Sequence, residues 1–166
     1  MAVVTTKSGQ ITNRDASPSV ANNPGLHGGY LKTSGGFITA ASGDSSTSTY
    51  IMAQVPSNAY VKDVLLSCEG AATAGAADIG IYQTTANGGA VVDADFFASV
   101  VLLTTELNRS SVVHESEVYD KEDVEKPLWE ALGLSEDSNR MYDVVITLTT
   151  GIDAADDIGL EVQYQL

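Results

Sequence analysis

From Phe37 to the end of the chain, apolar and polar residues alternate with a dominant period of two. This period indicates β-strands, because successive side chains of a strand point to opposite faces of a sheet. The alternation is clearest over residues 142–149 and 158–166, on either side of the polar turn 150–157. Other runs predict strands at 36–42, 48–55, 60–69, 77–83, 99–104 and 112–113. About seven or eight short strands with frequent turns are typical of an antiparallel β-sandwich or jelly roll, so we predict an all-β fold.

One short α-helix is predicted within this series of strands. Apolar residues recur at roughly helical spacing at Val124, Leu128, Trp129 and Leu132. Pro127 suits a first helical turn and Gly133 suits the position after a helix ends. We predict a helix over about residues 126–132 that lies across an open end or face of the sandwich, with Trp129 in the core.

Residues 1–36 differ in character from the rest of the chain. From Thr5 to Gly36 the chain is rich in Gly, Ser, Thr, Asn and Pro and lacks hydrophobic periodicity. We therefore predict an extended N-terminal arm over 1–36 and a β-sandwich domain over 37–166. The arm is either a disordered tail or a segment that becomes ordered against a partner. Its predicted partner contacts are three apolar residues and two cations, Leu26, Tyr30, Leu31, Arg14 and Lys32.

The charge of the chain excludes some classes of partner. The 166 residues carry a formal net charge of −14. Residues 1–60 contribute 3 − 2 = +1, and residues 61–166 contribute 5 − 20 = −15. So acidic a chain is a poor match for nucleic acid or an anionic membrane, and no apolar run approaches the roughly 20 residues of a membrane span. We also expect no signal peptide at residues 1–10 and, with Cys68 as the single cysteine, no disulfide framework.

Residues with catalytic potential do not form a recognisable set. The chain has no Gly-x-Ser-x-Gly motif, and His27 lies in a glycine-rich stretch. His114 precedes Glu115, but neighbouring residues on a strand point to opposite faces, so we expect a surface histidine. Cys68 shares an inward face with Val64 and Leu66, where a buried thiol is inert. We expect no catalytic residue, no cofactor and no enzymatic activity.

Two groups of carboxylates have a spacing that resembles a calcium loop. They are Asp93 with Asp95, and Asp153 with Asp156 and Asp157. Neither run has the full pattern of a calcium-binding loop, with its glycine and its terminal glutamate. We expect solvated turn carboxylates and no metal site, although a weak calcium site at either group stays open.

Five segments resemble bacteriophage head decoration proteins, also called cement proteins. They are NNPGLHGG at 22–29, VPSNAYV at 55–61, DIGIYQT at 78–84, GGAVVDADFF at 88–97 and LWEALGL at 128–134. The resemblance is spread over most of the chain. It implies a non-enzymatic virion component, often a jelly roll, that binds the outside of the capsid and stabilises it against internal DNA pressure.

The expected function is therefore decoration of a phage capsid by bridging neighbouring shell subunits. The expected partner is the major capsid protein, with a homo-oligomer, dimer or trimer, on the capsid lattice. The protein would be made in the host cytoplasm and located on the outer surface of the virion. The alternatives are a receptor- or carbohydrate-binding head of a tail or fibre, and an enzyme such as a glycosidase that acts through paired carboxylates.

Overall fold

Two four-stranded antiparallel sheets pack face to face in the computed structural model, which describes residues 4–166. The strands are β1 (Lys32–Ala40), β2 (Thr49–Pro56), β3 (Tyr60–Cys68), β4 (Ala76–Gln83), β5 (Val91–Leu102), β6 (Leu107–Ser111), β7 (Met141–Thr150) and β8 (Asp156–Gln165). The helices are α1 (Gly9–Asp15) and α2 (Leu128–Ala131), and single 3₁₀ turns lie at Thr85–Asn87 and Asp123–Glu125. None of the helices in the described residues is long and apolar enough to cross a membrane.

The strands pair in a nested order. One sheet has the order β1-β8-β3-β6, and the other has the order β2-β7-β4-β5. The first strand therefore pairs with the eighth, the second with the seventh, the third with the sixth and the fourth with the fifth. The predicted all-β antiparallel sandwich is confirmed. The nested pairing favours the jelly-roll arrangement, which stays a prediction.

The core lies between the two sheets and follows the predicted alternation. On β7 and β8 every second residue points inward and is at most 2% exposed, at Val144, Ile146, Leu148, Ile158, Leu160 and Val162. Each such side chain contributes about 1.5–3 kcal/mol when it is fully buried. These two strands are central in their sheets, so their apolar faces form the middle of the core.

A large bulge interrupts β5. Ile79 on β4 pairs with Ala98, whereas Ile81 pairs with Asp93, so two steps along β4 match five steps along β5. The extra residues bend the strand and change the direction of its side chains. Gly80 lies beneath the bulge, where a β-carbon would clash with the carbonyl group of Asp93. A side chain at this position is therefore incompatible with the bulge.

The bulge turns two neighbouring aromatic rings into the core. Phe96 and Phe97 are only 2% and 0% exposed, although adjacent residues of a regular strand would point to opposite faces. Both rings contact Tyr119, with centroid distances of 5.5 and 5.4 Å. The hydroxyl of Tyr119 lies 2.8 Å from the carbonyl oxygen of Val61 and 3.1 Å from that of Asp123. Tyr119 thereby joins the loop after β6 to β3 and to the following 3₁₀ turn.

The helical segment is shorter than predicted. Lys126 and Pro127 are extended, so they separate the 3₁₀ turn Asp123–Glu125 from α2. Leu128 is fully buried, and its amide donates to the carbonyl of Ala59 at 2.8 Å. Trp129 is only half-buried, so the prediction that it lies in the core is wrong. A single helical turn can direct few side chains inward, and here Leu128 takes that position.

The strand boundaries also differ from the predictions in two places. β5 begins at Val91, well before the predicted start at 99. β6 ends at Ser111, so Val112 and Val113 lie beyond it, although both are buried. The amide of Val112 still donates to the carbonyl of Val64 on β3, and the residues that follow lie over the bulge of β5. The amides of Glu115 and Ser116 donate to the carbonyl of Phe97.

The N-terminal segment is more structured than an extended arm. β1 begins at Lys32, inside the predicted arm 1–36, and pairs with β8 along its whole length. Residues 9–15 form α1, whose N-cap Ser8 accepts a hydrogen bond from the amide of Ile11. This helix buries none of its residues, so it leaves no hydrophobic periodicity in the sequence. Residues 1–3 of the predicted arm lie outside the described residues.

Candidate partner-binding surface

Residues 23–29 are held against the end of the sandwich where β3 begins and β8 ends. The side-chain amide of Asn23 donates to the hydroxyl of Tyr60 at 2.8 Å, and that of Gln165 donates to the carbonyl of Gly29 at 3.1 Å. Gly25 is buried against the Tyr60 ring, and a β-carbon there would lie 2.5 Å from the ring carbon Cε2. A glycine is needed here because the chain passes so close to the ring.

Helix α1 is tied to the same segment by side-chain amides. Gln10 donates to the carbonyl of Leu26 at 3.2 Å, and Asn13 donates to the side chain of Asn22 at 2.9 Å. The side chain of Asn22 in turn donates to the carbonyl of Gln10 at 3.4 Å. These bonds fold the segment back on itself, so it is a small polar lobe and not a free tail.

The five predicted partner contacts do not share one environment. Tyr30 is 89% exposed, Leu31 is 54% exposed, and Lys32 is exposed at the start of β1. Leu26 is half-buried in the lobe. Arg14 forms an ion pair with Asp15 at 2.8 Å, and Arg14 together with Lys7 lowers the pKa of the Asp15 carboxyl. Tyr30, Leu31 and Lys32 are therefore exposed, as is Arg14, which is paired with Asp15.

The fold brings one further apolar residue to this place. Lys32 pairs with Tyr164 at the end of the ladder of β1 and β8, and the Gln165 side chain bonds to the carbonyl of Gly29, so the segment before Lys32 lies at the end of β8. Leu166, at the end of the chain, is 44% exposed. We call Tyr30, Leu31 and Leu166 the terminal apolar patch. Leu166 could not be predicted from the sequence, because only the pairing of β1 with β8 brings the start of β1 to the end of β8.

The candidate catalytic residues stay apart. His114 is half-buried, with its Nδ1 atom 2.9 Å from the carbonyl oxygen of Tyr119 and its ring stacked on the Tyr119 ring. It is therefore more buried than the surface histidine that we predicted. The Glu115 carboxylate accepts a hydrogen bond from the amide of Ser99 and not from His114. His27 is exposed.

Cys68 points inward, as predicted. It is 4% exposed, and its thiol lies 3.4 Å from the carbonyl oxygen of Thr105. Burial raises the pKa of this thiol above its ordinary value. The thiolate is the reactive form of cysteine, so a raised pKa makes Cys68 unreactive at neutral pH.

The two carboxylate groups with calcium-loop spacing have other partners. Asp93 and Asp95 lie on β5 and not in a turn, and burial together with Asp95 raises the pKa of Asp93. The second group bonds to separate parts of the chain. Asp153 accepts hydrogen bonds from Thr73 and Ala74. Asp156 accepts one from the amide of Glu69, and Asp157 accepts one from the hydroxyl of Thr39. Among residues 4–166, no three acidic, histidine or cysteine side chains are grouped so that they could hold a metal ion.

Comparison with solved structures finds the same fold in a phage particle. The chain is similar to a chain of the structure described as "Cyanophage Pam1 capsid asymmetric unit", with a TM-score of 0.54 and 14% sequence identity. The alignment covers 92% of this chain and 96% of that chain, so the two share their fold almost from end to end. No protein-family model matches the sequence, and neither does any curated protein.

Proposed function

We propose that this protein is a non-enzymatic structural component of a phage virion, which decorates the outside of the capsid and stabilises the shell by bridging capsid subunits. The observation that carries the proposal is the likeness to a chain of a phage capsid asymmetric unit over 92% of this chain and 96% of the other. The resemblance of five sequence segments to decoration proteins supports the same role.

The charge distribution supports a position on the outer surface. Residues 61–166 carry a net charge of 5 − 20 = −15. Packaged DNA is a dense polyanion and repels such a body, whereas the outside of the shell exposes it only to solvent and neighbouring protein. Strong net charge also keeps a protein soluble at high local copy number.

The terminal apolar patch is the proposed attachment surface. Tyr30 and Leu31 are exposed at 89% and 54% next to the cation Lys32, at the end of the sandwich where Leu166 follows β8. Exposed apolar groups beside polar ones are common at protein interfaces, and tyrosine is enriched among the residues that dominate binding energy. The proposed partner is the major capsid protein. Copies that form a dimer or trimer on the lattice would gain affinity by multivalent attachment.

Capsid binding by the purified full chain tests this proposal. Capsids that lack the protein are mixed with it, and the bound fraction is measured by co-sedimentation over a range of concentrations. The double variant Tyr30→Ser with Leu31→Ser should bind at least about tenfold more weakly, equivalent to about 1.4 kcal/mol. Val20→Ser is the matched control, because Val20 is also 54% exposed and lies in the same N-terminal segment.

Addition of the wild-type protein should also raise the temperature at which capsids release their DNA. Unchanged binding by the double variant would move the attachment surface to the acidic body. Failure of the wild-type protein to bind capsids at all, together with binding to host cells or tail structures, would replace decoration with the receptor-binding role.

A further inference from the structure

A groove of about 340 Å³ lies on the outer face of the β1-β8-β3-β6 sheet. Its floor is the backbone around Gly35, Gly36 and Gly159, and its sides include Ser67, Arg109 and Glu161. The volume falls at the lower end of the range of about 300–1,000 Å³ that is usual for small-molecule sites. One lining residue of the groove, Thr33, directly follows the predicted contact residue Lys32, so the groove begins on β1 next to the terminal apolar patch.

The groove is open above Gly159, a residue without a side chain that lies between two cross-strand neighbours. Gly159 on β8 pairs with Phe37 on one side and with Ser67 on the other. A β-carbon built at Gly159 would lie 3.8 Å from the β-carbons of both neighbours, which is an ordinary contact distance. A β-carbon therefore fits here without strain, and a side chain on it would project into the groove.

A charged pair forms one side of the groove. Arg109 on β6 reaches across β3 to Glu161 on β8, with two hydrogen bonds of 2.6 and 3.1 Å. The backbone of Arg109 is in the left-handed region, with φ 52°, and its amide donates to the hydroxyl of Ser67 at 3.0 Å. A residue other than glycine seldom adopts this conformation. Here it lets the side chain lie along the sheet and reach Glu161.

The pair offers both kinds of hydrogen-bonding group while remaining neutral overall. Arg109 has five N–H donors, of which two bond to Glu161. Oε1 of Glu161 already accepts from both Arg109 and the side-chain amide of Gln163, so the acceptor with a free lone pair is Oε2, which accepts from Arg109 alone. A ligand with hydroxyl groups can both donate and accept, so it can bond to the two partners without separating them. An anionic ligand would meet Glu161 and the acidic body, and a cationic ligand would have to compete with Arg109.

An exposed aromatic residue, Phe37, is the cross-strand neighbour of Gly159, although it is not itself a lining residue of the groove. Phe37 is 76% exposed on the outer face of β1, beside the open space above Gly159. A pyranose ring has an apolar face of C–H groups and a rim of hydroxyls, so it can contact an aromatic ring and a polar pair at once. The other sheet has an exposed apolar residue on its edge strand, Ile51 at 61%, but it is aliphatic.

We propose that this groove binds one unit of a neutral saccharide. One face of the sugar ring packs on Phe37, and its hydroxyls bond to Arg109 and Glu161 above the floor at Gly159. This activity goes beyond capsid decoration, because it would hold a decorated particle at a glycan-covered surface.

The test is NMR titration of the full-length, ¹⁵N-labelled protein with three neutral trisaccharides and one acidic one. The neutral probes are maltotriose, mannotriose and triacetylchitotriose, and the acidic probe is 3′-sialyllactose. We expect one of the neutral probes to shift the amide signals of Arg109, Gly159 and Glu161 with a dissociation constant in the millimolar range. Phe37→Ala should weaken this binding at least about tenfold, and Gly159→Val should abolish it.

Ile51→Ala is the matched control, because it removes an exposed apolar side chain from the edge of the opposite sheet and should leave the titration unchanged. The amide spectrum of each variant shows whether it is folded. Absence of shifts at the groove with all three neutral probes, equal binding by Phe37→Ala, or tighter binding of 3′-sialyllactose would each overturn the proposal. Capsid co-sedimentation of Phe37→Ala should be normal, so the failure of saccharide binding and the failure of capsid decoration are distinguishable.

Discussion

Gly25 is the position where a single substitution should release the N-terminal lobe without damage to the sandwich. A β-carbon at this position would lie 2.5 Å from the Tyr60 ring, so Gly25→Val forces either the segment or the ring to move. Overpacking of this kind typically costs about 1–3 kcal/mol. The lobe is held mainly by polar bonds such as that of Asn23 to Tyr60 at 2.8 Å, each with a net contribution of about 0.5–1.5 kcal/mol. The substitution therefore removes most of the docking free energy.

Limited proteolysis and thermal unfolding measure the two halves of this prediction separately. Loss of about 1.4 kcal/mol increases the undocked population about tenfold, and cleavage follows that population when opening and closing are fast. We expect cleavage within residues 4–31 to accelerate accordingly, while the melting temperature of the sandwich falls by only a few degrees. Gly9→Val is the matched control, since no atom lies within 4 Å of its β-carbon position. Equal cleavage of the two variants would refute the reasoning, and so would a collapse of the melting temperature in Gly25→Val.

Four further substitutions test the rest of the structure. Tyr119→Phe should destabilise the protein by about 1–3 kcal/mol in urea unfolding, because the carbonyl of Val61 loses this buried donor while that of Asp123 keeps the amide of Lys126. Burial raises the pKa of Tyr119 in the folded state, so wild-type stability should fall as the pH rises above about 10, the unfolded value, and less so in Tyr119→Phe. Leu128→Ala should cost about 2–5 kcal/mol, and Trp129→Ala should cost less because Trp129 is only half-buried. Hydrogen bonds from Thr73 and Ala74 lower the pKa of Asp153, so its contribution should be lost as the pH falls below about 4, and Asp153→Asn should show a flatter acid transition.

The sequence was sufficient for the parts of the fold where one side of a strand is buried and the other is wet. Residues 142–149 and 158–166 show this alternation, and they become the central strands β7 and β8. The pattern failed at Phe96 and Phe97, because the bulge that buries both rings depends on the residues after β6. It also missed α1, which buries no residue and therefore has no periodicity to detect.

The candidate surfaces were predictable to a smaller extent. Tyr30 and Leu31 could be selected because they are unusually apolar for a segment rich in glycine and polar residues. Leu166 could not, and neither could the groove at Gly159, because both depend on the register of β8 with β1. Register is a tertiary property, since each strand is specified by its own alternation but its partner is not. Glycines that open a groove also look the same in a sequence as glycines that form turns.

Because the N-terminal lobe is already folded, attachment to a capsid would cost little backbone entropy. A disordered arm would lose about 1–2 kcal/mol of backbone entropy for each residue that becomes ordered on binding. Here α1 and the bonds to Tyr60 and Gln165 already order most of this segment in the free protein, so the loss on binding is much smaller. The terminal apolar patch is small, because it consists of three residues. One copy alone would then bind weakly, and stable decoration would depend on several linked copies that bind the repeating lattice together.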